Sequence, residues 1–123
     1  MISLTEAERI HEILIDSFGG ASGIRDRGIL ESAIHRPYQT FDGQELYPNP
    51  IDKSAAIFES IISNHPFIDG NKRTAYVLMR LVLKDHNMDI NVGQNEKFDF
   101  VMRAAKGELN FDEIRNWIRK SLK

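Results

Sequence analysis

The sequence contains no cysteine, which leaves it without a disulfide framework or a thiolate metal site. It has no long hydrophobic run either: the purest apolar stretch, Ala75 to Met79, is far too short to cross a bilayer. Charge of one sign is not in excess. A net charge of −2 argues against a general nucleic-acid or membrane-surface binder, which needs a strongly basic face. The four histidines, His11, His35, His65 and His86, stand far apart and form no HExxH pair. Nothing at the amino terminus resembles a signal peptide, because Met1-Ile2-Ser3-Leu4 leads straight into a charged helix. The cytoplasm is therefore the expected compartment. A Walker-type loop is missing too: Gly23 and Gly28 have its glycine spacing, but Ile29-Leu30 follow where Lys and Ser or Thr are required.

What is present is an ordinary globular composition in 123 residues, 41% hydrophobic and 28% charged, enough for one domain spanning residues 1–123. The pattern is all-α. Ser3-x-x-Glu6 is a capping box for a first helix that Gly19-Gly20 stops. A second helix is expected from about Asp26, its N-cap, to His35, with Pro37 ending it. A small hairpin is expected around Asp42-Gly43, between Thr40-Phe41 and Leu46-Tyr47, and should be mobile until something pairs with it. Helices follow over Ile51 to Asn64 and from Asn71 to Asp85 or His86, the latter being the central buried one. Ile90 to Val92 reads as an extended link. Glu96 to Lys106 and Phe111 to Leu122 complete the helices, the last capped by Asn110 with Glu113. Ile114, Trp117 and Ile118 read as core. Arg115, Arg119, Lys120 and Lys123 complement a helix dipole and are given no other role.

The chemistry concentrates in His65-Pro66-Phe67-Ile68-Asp69-Gly70-Asn71-Lys72-Arg73-Thr74-Ala75. Phe67 reads as the apolar anchor of the loop. Gly70-Asn71 leads into a helix whose first N–H groups lack partners, which makes an anion site. Lys72 and Arg73 add two cations at the helix end where the dipole disfavours them, a conflict that a bound polyphosphate removes. Asp69 can hold a magnesium ion bridging phosphate oxygens, Asn71 can orient an oxygen, and His65 suits general-base work near neutral pH. Each residue alone has an ordinary explanation: a helix cap for Asp69, a loop position before proline for His65, solvated surface for the cations. Together in one short loop they point to attack of a hydroxyl on a phosphoryl centre.

This segment resembles the signature of the Fic/Doc superfamily, HxFx(D/E/N)(G/A)N(G/K)R, and is most similar to the death-on-curing (Doc) toxin branch, which runs on as N-K-R-T-A. Gly19-Gly20, the stretch from Ile24 to Pro37 and the hairpin before Pro48 fall where Doc-like proteins have counterparts. The resemblance implies a compact bundle of about six helices with a β-hairpin flap, and ATP with Mg2+ as ligands. It implies that His65 is the catalytic base, Asp69 the metal-binding acid, and Gly70, Asn71, Lys72 and Arg73 the phosphate-binding turn. Phe41, Asp42, Gly43, Gln44, Glu45 and Leu46 look like the flap that aligns a target segment by strand pairing. AMP-transferring members carry a second arginine three residues after the first, where this chain has Tyr76, and usually a glycine at Lys72. Both departures are shared with Doc-like kinases, which transfer the γ-phosphoryl group to a threonine of elongation factor Tu and arrest translation. AMP transfer is the alternative, and an idle antitoxin-binding module is a second one. The self-inhibitory (S/T)xxxE(G/N) helix is absent, so the resemblance implies inhibition in trans by a Phd-like antitoxin with a disordered carboxy-terminal segment. His11, His35 and His86 are assigned no function. Arg25 and Asp26 lie in a region that matches the family; Asp26 is read as a helix cap, with a role in the site or the antitoxin groove as the alternative.

Overall fold

The computed structural model describes residues 1–123 and is all-α with one two-stranded hairpin. The expected caps form. Ser3 and Glu6 exchange side-chain and backbone bonds at the head of α1 (Leu4–Phe18), and Asp26 accepts from the Ile29 N–H to start α2 (Arg27–His35). Asn49 caps α3 (Pro50–Asn64) through the Asp52 N–H, and Asn110 with Glu113 closes a capping box on α6 (Phe111–Ser121). Pro37 ends α2 but not the turning of the chain. Arg36–Tyr38 continues as a 3-10 turn, because a proline in a first turn has no N–H to leave unpaired.

Two helices make the centre. α3 buries Ala55, Ala56, Ile57, Phe58, Ile61 and Ile62, and α4 (Asn71–Lys84) buries Ala75, Leu78, Met79, Val82 and Leu83. α4 stops at Lys84, short of the expected end, where the chain reverses through Asn87 in the left-handed region. α5 (Gln94–Ala105) starts two residues earlier than expected, on Gly93. Phe58, Phe100 and Trp117 stack in series at centroid distances of 4.9 and 3.8 Å, joining α3, α5 and α6. Trp117 is the half-buried outer member of that series. The expected link at Ile90 does pair: it bridges Leu122, while Asn91 N–H donates to Ser121 O and Lys123 N–H to Asp89 O. Arg115 does more than complement the dipole of α6. It lies 3.8 Å from Asp52 on α3 and 3.2 Å from Asp112.

In the hairpin, β1 (Thr40–Phe41) pairs antiparallel with β2 (Gln44–Glu45), Thr40 opposite Glu45. Asp42 and Gly43 both take positive φ, 53° and 79°, as a tight two-residue turn requires. The base of the hairpin is tethered rather than free. The buried Lys53 ammonium donates to Glu45 Oε1 at 2.7 Å, to Tyr47 O and to Pro37 O. Tyr47 therefore lies beyond the second strand, its hydroxyl accepting from Arg36. Phe41 at the tip stays 75% exposed.

Arg80 grips Asp89 with two bonds, 2.9 and 2.8 Å, and ties α4 to the link before α5. The guanidinium holds the Asp89 carboxyl down to about 2. Its unfolded value is about 3.9, so the contribution of Asp89 to stability is complete above that pH and is lost as pH falls toward 2. Asp89→Asn is expected to cost about 1–2 kcal/mol at pH 7 and to flatten the acid limb of a Tm-against-pH profile. An unchanged acid limb would contradict this.

Candidate active site

The loop from His65 to Gly70 joins the two central helices, and its shape is imposed from outside. His65 ends α3 in the left-handed region (φ 49°, ψ 62°), a conformation that costs a non-glycine residue roughly 1–2 kcal/mol. Arg25 offsets it. Its Nε donates to His65 O and one Nη to Asn64 O, both at 2.6 Å, satisfying carbonyls at the end of α3. The segment after α1 pairs with the loop like a short antiparallel strand. Arg25 N–H and Asp26 N–H donate to Pro66 O, Ile68 N–H donates to Gly23 O, and Ile24 bridges Phe67.

Phe67 is the expected anchor, 1% exposed, and its ring lies flat on His11 at 3.9 Å and 5°. His11 Nε2 is 2.7 Å from Asp69 O, and a carbonyl only accepts, so that nitrogen carries the proton. His11 therefore has a definite place in the site. No acidic partner in the sequence marks it, because the partner is a backbone carbonyl fifty-eight residues away. The one available signal was its spacing with Ala7 and Ile15, which puts a histidine on the buried stripe of α1.

Asp69 does not cap α4, since Gly70 is the N-cap and no side chain bonds there. Its carboxylate accepts instead from Ala21 N–H at 3.1 Å and from Gly70 N–H at 2.9 Å. These two bonds, helped by Lys72 and His11, hold it below the usual carboxylate range. Glycine is needed nearby on two counts. Gly20 has φ 112°, and a Cβ there would stand 2.8 Å from Asp69 Oδ2. Gly70 has φ 75°, and its Cβ would press on Ile15 at 3.1 Å.

Asn71 staples the loop by accepting from Phe67 N–H at 3.0 Å and donating to Phe67 O at 2.9 Å, which leaves one amide N–H free. No protein acceptor meets the backbone N–H groups of Asn71, Lys72 and Arg73. Lys72 and Arg73 form no ion pair, and the Arg73 guanidinium rests on the Phe18 ring at 4.1 Å. His65, Asp69, Gly70, Asn71, Lys72 and Arg73 all line one cavity of about 690 Å³, closed on its far side by α5. That is within the ordinary range for a small-molecule site. Asp69 is its only carboxylate, and no cluster of three His, Cys, Asp or Glu exists anywhere in the chain. The hairpin residues Phe41 to Leu46 do not line this cavity. No helix is long and apolar enough to cross a membrane.

The model of the Fic/DOC family matches residues 1–83 of the chain. A protein named Toxin Doc from Mycolicibacterium smegmatis is 47% identical over 102 residues, covering 80% of this chain and 77% of that one. A protein named Protein kinase doc from Escherichia phage P1 is 28% identical over 119 residues, covering 97% of this chain and 93% of that one.

His11→Phe keeps a ring against Phe67 and removes the donor to Asp69 O. It is expected to lower unfolding free energy by about 1–2 kcal/mol in chemical denaturation. Wild-type stability in that variant would contradict a hydrogen-bonded role for His11.

Proposed function

The chain belongs to the Fic/DOC family, on its Doc branch, and from that premise we propose that it is a Doc-type toxin acting as an ATP-dependent protein kinase. The observation that carries the reading is the cavity itself: a histidine, a single low-pKa carboxylate, unpaired cations and free helix N–H groups face one space. A triphosphate complements that set, and few other small ligands do. Residues 1–123 work as one domain. The target is a protein hydroxyl, with a threonine of elongation factor Tu as the proposed residue and translation arrest as the consequence. A Phd-like antitoxin restrains the toxin. Both proteins named above are Doc proteins, one called a toxin and the other a protein kinase, which supports the pairing of toxin and kinase.

In this mechanism Lys72, Arg73 and the α4 N–H groups hold the phosphate oxygens and neutralise their charge. His65 takes the proton from the attacking hydroxyl. The new bond joins that oxygen to the γ-phosphorus, the bond from the γ-phosphorus to its bridging oxygen breaks, and ADP leaves with the electron pair. Asp69 fits a magnesium ion. Each of its oxygens keeps a lone pair beyond the backbone bond it accepts, and its low pKa keeps it ionised. The ion, when bound, supplies further neutralisation of phosphate charge. Asp69 stands alone, so such an ion needs phosphate oxygens and water to complete its shell. The hairpin tip, exposed and tethered only at its base, offers an edge for a target segment.

AMP transfer is the competing reading, and one observation favours it: the Lys97 ammonium sits against Tyr76, where a second arginine would otherwise supply a cation. Labelled ATP separates the two. Transfer to elongation factor Tu is expected from γ-labelled ATP and not from α-labelled ATP. His65→Ala is expected to reduce it at least 100-fold, with nucleotide affinity kept. Label arriving from the α position would replace the kinase with a nucleotidyl transferase. Full activity in His65→Ala would remove the base.

A further inference from the structure

We propose that Lys97 is a third phosphate-binding cation of this site, supplied by α5 from outside the His65–Arg73 loop. The inference rests on the nucleotide reading above and extends it to a residue that carries no motif. α5 turns one stripe toward the cavity, with Gln94, Lys97, Val101 and Ala105 at helical spacing among the lining residues. Lys97 is the only charged member of that wall. Its ammonium is held 4.7 Å from the centre of the Tyr76 ring, and no carboxylate lies within ion-pair distance. Tyr76 is three residues beyond Arg73, one turn farther along the same face of α4, or about 5 Å of rise. Lys72, Arg73 and Lys97 thus bring three unpaired cations to a cavity whose only carboxylate is Asp69.

A cation held only by an aromatic face is a weak structural element, worth roughly 0.5–1 kcal/mol at an exposed site. It is pre-positioned, however, and the aromatic contact does not cancel its charge. Three unpaired cations lining one cavity are complemented by a ligand carrying several negative charges along its length, which describes a polyphosphate chain and not a nucleoside or a monoanion. Lys97 accordingly contacts phosphate, and its contribution does not depend on the base or the sugar.

The test uses the full chain and two probes, a non-hydrolysable ATP analogue with magnesium and inorganic tripolyphosphate with magnesium, titrated by calorimetry. Lys97→Met is expected to weaken both by about tenfold, while Lys97→Arg stays within about threefold of wild type. Thermal melts of both variants establish that they are folded. Wild-type affinity for both probes in a folded Lys97→Met overturns the proposal and leaves the kinase reading intact. A loss confined to the nucleotide also overturns it, since Lys97 would then contact the nucleoside. Failure of the wild-type chain to bind either probe overturns the proposal and the nucleotide reading together.

Discussion

The site depends on the pairing of residues 23–26 with residues 66–68. A loop holding a left-handed histidine and an ionised aspartate, with two cations in the helical turn that follows, has little reason to keep one shape by itself. Here it is pinned from three directions: Arg25 on the carbonyls that end α3, backbone pairing with Gly23 to Asp26, and His11 beneath Phe67 and Asp69 O. The fold serves this arrangement. α3 and α4 provide the buried framework into which the loop's ends are fixed, and α1 with its glycine-rich exit supplies the clamp. Asp69 shows the effect most clearly, because one of its two backbone partners, Ala21, comes from the clamp and not from the loop.

The polar groups of the loop divide into those used by the fold and those left over. Asn71 is engaged with Phe67 on both sides of its amide, and Asp69 accepts two backbone N–H groups. Lys72, Arg73 and the first N–H groups of α4 have no acceptor in the protein, although the dipole of that helix disfavours cations at its start. Charges placed against a dipole without partners destabilise the free protein slightly, and a polyanion reverses the sign of that effect. That reversal is the physical basis of the proposed phosphate site.

Much of this was legible in the sequence. The capping boxes at Ser3 and Asn110, the proline at the head of α3 and the apolar stripes fixed most of the helix positions, because each is a local signal. The stretch from His65 to Arg73 was legible as chemistry because five polar side chains, His65, Asp69, Asn71, Lys72 and Arg73, crowd into nine residues with no common structural reason. What the sequence did not reveal is long-range. His11 acts through a carbonyl across the chain, Arg25 through the end of another helix, and Lys53 through three acceptors around the hairpin base. Arg115 pairs with Asp52 across two helices, and Lys97 reaches the cavity only because α5 folds over α4. None of these contacts has a spacing that periodicity can report.

The most direct measurement of the central claim is a crystal structure of the chain with a non-hydrolysable ATP analogue and magnesium. The triphosphate is expected to lie across the start of α4 against Lys72 and Arg73, with the γ-phosphorus nearest His65 and the clamp at residues 20–26 unmoved. A ligand with its α-phosphorus nearest His65, or one bound elsewhere, would contradict it.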